Sequence, residues 1–353
     1  MTAPADLAGR FRRLISATGP IGVAAYMGEA NAHYYAARDP LGAAGDFVTA
    51  PEISQMFGEL VGLWCADLWD RAGRPAAAWV ELGPGRGTLT ADALRAMRAA
   101  GLTPPVHFVE ASPALRAEQA RAVPAAAWHD DPASLPADVP LLVIANEFFD
   151  ALPVRQLVRT ESGWRERVVV PEGDRFACAA GTVPMDAAIG AAWAEEPAGT
   201  IAETRPAAQA VMADLAARIA AQGGAVLAID YGYDTPRTGS TLQAVRGHRK
   251  VDPFEAPGTA DLTALVDFSA LRGAAGNSAV HAWGPVGQGR WLEALGLGQR
   301  AAALAAARPR RAADVAAARR RLADPAEMGE LFRVLALTAP TWPAPAGFSA
   351  EAR

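Results

Sequence analysis

With 353 residues, 51% of them hydrophobic, the chain is long enough for one large core, or a core with additions. A net charge of −5 with 20% charged residues argues against nucleic acid as the main partner. Two cysteines, Cys65 and Cys178, exclude a disulfide framework and a Cys-x-x-Cys metal site and suit a reducing compartment. No apolar run reaches the roughly 18 residues that a membrane span requires.

The first stretch, "LAGRFRRLISATGP", mixes arginine into an amphipathic pattern and stops at Gly19-Pro20. It predicts a helix with its terminator rather than a cleaved signal, because Asp6 precedes the arginines and no clean apolar stretch follows them. Residues 1 to about 78 read as a helical, loop-rich extension. Within it, "PEISQMFGELVGLWCADLW" predicts a single helix with Pro51 in its first turn.

From residue 79 a strand–helix alternation begins. "AAWVELG" predicts a buried strand, "TLTADALRAMRAAG" a helix closed by Gly101, and "VHFVEAS" the next strand. "SPALRAEQARAV" follows as a helix with Ser112 as N-cap and Pro113 in its first turn. "PLLVIANE" is a third strand, "AAQAVMADLAARIAAQGG" a long helix, and "AVLAIDYG" a further strand. This rhythm implies a parallel sheet covered on both faces. "VRQLVRTESGWRERVVV" interrupts it as a β-hairpin turning at Ser162-Gly163. Later, "DLTALVDFSALRGAAG" reads as a helix, "SAVHAWGPV" as a strand, "RWLEALGLGQRAAALAAA" and "AADVAAARRRLADP" as helices, and "ELFRVLALT" as a last strand. The resulting domain reading is an extension over 1–78, a core over 79–340 with insertions near 154–200 and 288–330, and a loose tail over 341–353.

The chemistry concentrates in "VELGPGRGTL", residues 80–89. Gly83, Gly85 and Gly87 alternate between a strand and a helix, with Glu81 ahead of them. Glycines let a ligand approach the backbone, and a helix N-terminus offers N–H groups to it. A dinucleotide fingerprint would place its third glycine at position 88, which is Thr88, and a phosphate loop would need Gly-Lys-Ser/Thr. Glu-x-Gly-x-Gly-x-Gly is instead the loop of class I methyltransferases, which bind S-adenosyl-L-methionine. Glu81 then suits the cationic end of that ligand. Glu110, closing the next strand, suits the two ribose hydroxyls, and Asp130 in "AWHDDP" the adenine amino group. Asn146 and Glu147 in "NEFFDALP" follow the third strand directly and face the place of a methyl acceptor; Phe148 and Phe149 either wall that acceptor or belong to the core.

These stretches, together with "GDFVTAPEISQMFGEL" (45–60), "NEFFDALPVRQ", "IDYGY" (229–233), "HRKVDPFEAPGTADLTALVDFSAL" (248–271) and "MGELFRVLAL", resemble the MidA family of mitochondrial and bacterial proteins. Its mitochondrial members are protein-arginine methyltransferases tied to respiratory complex I assembly. The resemblance implies a class I S-adenosylmethionine-dependent methyltransferase fold: α/β, Rossmann-like, with a seven-stranded mostly parallel sheet, a helical N-terminal extension, and inserted β-hairpin and helical segments. It implies symmetric dimethylation of an arginine on the 49-kDa-type complex I subunit, in the mitochondrial matrix if the source is eukaryotic and in the cytoplasm if bacterial. The oligomeric state stays open.

The polar segment 45–54, with Asp46, Thr49, Glu52 and Ser54, is expected to fold over the cofactor as a lid or to form a capped helix start. His248, Asp252 and Asp261 are expected on the ligand side after the strand ending at Asp230. A guanidinium is a poor nucleophile, and carboxylates that hold it can localise its charge and accept the released proton. Glu147 is the first candidate for that work, with Glu52 or Asp46 second and Asn146 and His248 beside them. The competing expectations are an assembly factor that binds the cofactor without turnover and a methyltransferase of another acceptor.

Overall fold

The computed structural model describes residues 6–37, 49–189, 193 and 195–348. In chain order the elements begin with α1 (Leu7–Thr18), β1 (Ile21–Gly22), α2 (Val23–Ala37), α3 (Ala50–Ile53), α4 (Gln55–Arg71), β2 (Ala78–Leu82), α5 (Thr88–Ala99), β3 (Val106–Val109), α6 (Pro113–Ala122), β4 (Ala127–His129) and β5 (Leu141–Asn146). They continue with β6 (Arg155–Thr160), β7 (Gly163–Glu172), β8 (Arg175–Pro184), β9 (Ile201–Thr204), α7 (Pro206–Gln222), β10 (Gly224–Tyr233), β11 (Gln243–Arg246), β12 (Arg249–Val251), β13 (Asp261–Thr263) and β14 (Val266–Asp267). The last are α8 (Phe268–Ala275), β15 (His281–Gly287), α9 (Gln288–Ala294), α10 (Leu297–Ala307), α11 (Ala312–Ala323) and β16 (Phe332–Thr338). The chain divides into two compact units, one of residues 1–40, 150–209 and 235–265, the other of 41–149, 210–234 and 266–353.

The second unit carries the expected sheet, in the order β4-β3-β2-β5-β10-β16-β15, with the two-residue β14 beside the end of β10. Strands β2, β3, β4, β5 and β10 run parallel, and β16 runs antiparallel to both β10 and β15. Every residue of β2 and β5 is buried, as their uninterrupted apolar runs require of central strands covered on both faces. Trp79, Phe57, Phe108, Ile144 and Leu227 share one core. Gly58 and Gly62, one turn apart on α4, let it approach α5 closely: a Cβ on Gly62 would lie 2.5 Å from the Ala93 carbonyl oxygen. The chain leaves β2 toward β3 on one side, while β5 lies on the other. Ligands of open parallel sheets bind at such a reversal, outside the carboxyl ends of the strands.

The first unit holds an antiparallel sheet, β1-β7-β6-β9 with β8 on the far side of β7, and a smaller sheet β12-β11-β13. Its core joins Phe11, Tyr26 and Phe176, with Phe11 stacked on Tyr26 at 4.9 Å between ring centres. The expected hairpin is present, with Thr160 opposite Gly163, and β1, β8 and β9 extend it into a five-stranded sheet.

Three expectations are corrected. The helix beginning at Pro51 is two helices, because Ser54 is extended (φ −163°, ψ 139°) and its side chain accepts the Met56 N–H to cap α4. "DLTALVDF" is not helical: β13 pairs with β11 and β14 with β10, and only Phe268 onward is helix. Residues 341–348 are not loose, since Trp342 is buried and the Ala346 carbonyl accepts Trp64 Nε1–H at 3.0 Å; residues 349–353 lie outside the described residues. The helices α3 and α4 fall in the second unit with the sheet, while residues 235–265 fall in the first.

Candidate active site

The turn after β2 is built from three glycines at positive φ: Gly83 (60°), Gly85 (54°) and Gly87 (80°). Residues with a Cβ rarely adopt this region, so the loop depends on glycine. The Gly87 N–H donates to the Pro84 carbonyl at 2.8 Å, and Gly87 then becomes the N-cap of α5 with no side-chain cap. Helix-start N–H groups that no side chain caps are suited to a negatively polarised ligand group. Phe148 lies over the loop, its Cδ2 3.2 Å from where a Cβ on Gly83 would stand. Phe149, by contrast, is fully buried and belongs to the core.

Glu81 sits beneath the loop, 3% exposed. The Trp79 indole N–H donates to Thr90 Oγ1 at 2.7 Å, and the Thr90 hydroxyl donates in turn to Glu81. Burial pushes the Glu81 carboxyl up to about 8, against the opposing pull of the Thr90 hydrogen bonds. A nearby cation would favour its ionised form.

Glu110 follows β3. Its Oε1 accepts the Ser112 N–H at 2.7 Å and its Oε2 accepts from Gln119 Nε2 at 3.2 Å. Burial raises its pKa, and the hydrogen bonds from Ser112 and Gln119 oppose that rise. Gln119 is itself fully buried. Its Nε2 also donates to the Gly85 carbonyl at 2.7 Å, while its Oε1 accepts the Trp128 indole N–H at 2.8 Å. An indole nitrogen can only donate, so Trp128 fixes which way the amide points. Gln119 thus ties the glycine loop to the carboxylate that closes β3. Sequence reasoning missed it, because its only signal is burial on an otherwise half-exposed helix. Asp130 is 87% exposed at its side chain and is paired with Arg116 at 2.5 Å; that carboxylate is solvated and already neutralised.

Asn146 ends β5 and is 8% exposed. Its Nδ2 faces Glu147 Oε1 at 3.5 Å, and its buried Oδ1 has no hydrogen-bond partner among the described residues. Glu147 is held at φ 51°, a conformation costing about 1–3 kcal/mol for a residue with a side chain, and its N–H donates to the Ile229 carbonyl at 2.9 Å. Its Oε1 also accepts the Ala50 N–H at 3.3 Å, at the start of α3. Asp230, a buried carboxylate of β10, accepts the Phe149 N–H at 3.0 Å and so fixes the same turn. Glu52 on α3 accepts from the Thr88 hydroxyl at 2.6 Å, one residue beyond the glycine loop.

The glycine loop, Glu81, Glu110, Asn146, Glu147 and Glu52 therefore lie in one unit. Asp46 lies outside the described residues, as do residues 45–48 of the segment expected to form a lid, while residues 49–54 form α3 and its link to α4. His248 belongs to the other unit, as does Asp261, whose carboxylate accepts from Tyr35 there at 2.8 Å. Gly247 (φ 58°) and His248 (φ 59°) form the two-residue turn between β11 and β12, and His248 is exposed. Two positive φ values are the requirement of that hairpin turn, which accounts for the position without ligand chemistry.

The donor set fits S-adenosylmethionine. It offers a glycine turn at positive φ that leads into a helix start with no side-chain cap, a carboxylate oriented by Gln119 and Ser112, and a buried, unpartnered amide oxygen. Among the described residues no helix is long and apolar enough to cross a membrane, and no cluster of three or more His, Cys, Asp or Glu could hold a metal.

Comparison with known proteins agrees. A family model for an S-adenosyl-L-methionine-dependent methyltransferase matches residues 60–286. Protein arginine methyltransferase NDUFAF7, mitochondrial, from Danio rerio is 38% identical, the match covering 90% of this chain and 83% of the relative. The protein of that name from Mus musculus is 39% identical, with 92% and 82% covered. A Burkholderia thailandensis protein crystallised with S-adenosyl-homocysteine superposes with a TM-score of 0.87 at 28% identity, covering 99% of this chain and 96% of that one. The chain belongs to the family of S-adenosyl-L-methionine-dependent methyltransferases that includes the mitochondrial protein arginine methyltransferase NDUFAF7.

Proposed function

We propose that this chain transfers methyl groups to an arginine of a protein substrate in the assembly of respiratory complex I, with the 49-kDa-type subunit as acceptor and symmetric dimethylarginine as product. The names of the relatives support arginine as the methylated residue; the 49-kDa-type subunit and the symmetric product rest on the family resemblance. The observation that carries the chemistry is Glu147, held at positive φ at the end of β5 in the same unit as the glycine loop.

When bound, S-adenosylmethionine supplies an electrophilic methyl group on a sulfonium and leaves as the neutral thioether. Gly83, Gly85 and Gly87 admit it to the backbone, Glu110 holds its ribose hydroxyls, and Glu81 favours its cationic end. The Asn146 amide oxygen accepts an N–H of the acceptor guanidinium or of the cofactor ammonium. Glu147 would align the guanidinium so that one nitrogen faces the methyl group, and its carboxylate would take the proton which that nitrogen loses. Phe148 excludes water from one side of the loop.

The test is incubation with methyl-labelled cofactor and a cell lysate, followed by mass spectrometry of the labelled protein. Label on an arginine supports the reading. Tight binding of S-adenosyl-homocysteine with no transfer to any protein would leave an assembly factor that uses the cofactor as a structural ligand.

A further inference from the structure

The helical insertion between β15 and β16 forms one wall of a cleft of about 310 Å³. Leu304, Arg308, Arg311 and Asp314 line that wall; Glu52 and Ile53 of α3 face it, with Thr88 and Asp92 at the start of α5. All of these residues lie in the unit that carries the glycine loop. Thr88 is the residue after Gly87, and its hydroxyl donates to Glu52 at 2.6 Å. One end of the cleft therefore adjoins the cofactor loop.

The two walls differ in charge. Glu52 and Asp92 are acidic, and Arg95 pairs with Asp92 from its own helix at 2.7 Å. Across the cleft, Arg311 is paired with Asp314 at 2.9 Å, which neutralises both. Arg308 is exposed and makes no ion pair among the described residues. Each wall also carries an apolar side chain, Ile53 on one and Leu304 on the other, which suits aliphatic side chains or backbone between them.

We infer that this cleft docks the substrate segment flanking the acceptor arginine, and that Arg308 selects an acidic side chain near that arginine. The inference rests on the protein-arginine reading above. The polarity sets the direction: the acceptor guanidinium lies at the Glu52 end beside the cofactor loop, and the acidic residue lies at the Arg308 end. Arg308 touches neither the cofactor loop nor the reacting atoms, so it is a specificity residue.

The experiment uses the full chain saturated with S-adenosyl-homocysteine and a set of fluorescent dodecapeptides. Each carries one central arginine, with aspartate placed at one other position in turn and alanine or glycine elsewhere. The expected result is tighter binding, by about tenfold, for aspartate at one or two positions on one side of the arginine. That preference vanishes in Arg308→Glu, and lysine at the same position then binds the variant better than aspartate does. Cofactor affinity stays unchanged in Arg308→Glu, as it must for an exposed residue outside the cofactor loop. Absence of any positional preference, a preference that survives in Arg308→Glu, or no peptide binding at all would overturn the inference. The protein-arginine reading fails separately, if the wild-type chain binds such peptides and transfers no methyl group to them.

Discussion

Glu110→Ala tests the cofactor assignment through a single carboxylate. In the folded chain that carboxylate is already held by the Ser112 N–H at 2.7 Å and Gln119 Nε2 at 3.2 Å, so it meets a ribose without first being ordered. Losing charge-assisted hydrogen bonds to the ligand costs about 1.5–3 kcal/mol. That converts to a rise in Kd of roughly ten- to 150-fold, at about 1.4 kcal/mol per decade. The assay is calorimetric titration with S-adenosyl-homocysteine, with circular dichroism as the check on folding. Glu110→Gln separates charge from shape. It preserves the side-chain volume, yet Gln119 cannot turn to accommodate the new amide, because Trp128 holds its carbonyl oxygen at 2.8 Å. Both variants are expected to lose affinity, with the alanine variant losing at least as much. A folded Glu110→Ala protein that binds S-adenosyl-homocysteine as tightly as the parent chain would refute the assignment of Glu110 and weaken that of the whole loop.

Three further outcomes are expected. Glu147→Gln keeps cofactor affinity within a few-fold while methyl transfer falls about 100-fold or more, as loss of a positioned base implies; an equal loss of binding would assign Glu147 to the cofactor pocket or the fold. Burial holds the Glu81 carboxyl near about 8 in the native state, above its ordinary value of 4.5, so the native state retains a proton that the unfolded chain releases. Its contribution to stability is full below the ordinary value and is lost as pH rises toward 8, so urea midpoints of the unliganded chain should fall over that window, and fall less in Glu81→Gln; identical pH profiles would contradict this. Gly62→Ala would put a methyl 2.5 Å from the Ala93 carbonyl oxygen, backbone that cannot swing aside, and should cost about 1–3 kcal/mol in chemical denaturation; an unchanged midpoint would mean that α4 and α5 shift apart freely.

The glycine loop was legible because its spacing is a backbone requirement: three positive φ values on alternate residues admit little but glycine. Glu110 and Asn146 were legible because a buried strand that ends in a polar residue delivers it to the sheet's carboxyl edge. Gln119 was not, since "LRAEQARA" offers several polar side chains and only packing against Trp128 and Gly85 singles one out. The Glu52–Thr88 contact spans 36 residues, and no local pattern encodes it. "DLTALVDF" carries helical spacing, and strand pairing with β11 and β10 overrides it. His248 drew notice as a lone histidine, while the structure uses the position for a turn whose only sequence mark is Gly247.

One reaction bears on the proposed chemistry without intermediaries. The purified chain, methyl-labelled S-adenosylmethionine and the 49-kDa-type complex I subunit are combined, and the subunit is sequenced by mass spectrometry. The prediction is label on an arginine, reaching the symmetric dimethyl form with the parent chain and lost with Glu147→Gln. Label on another residue type, or none with a chain that binds S-adenosyl-homocysteine tightly, would contradict it.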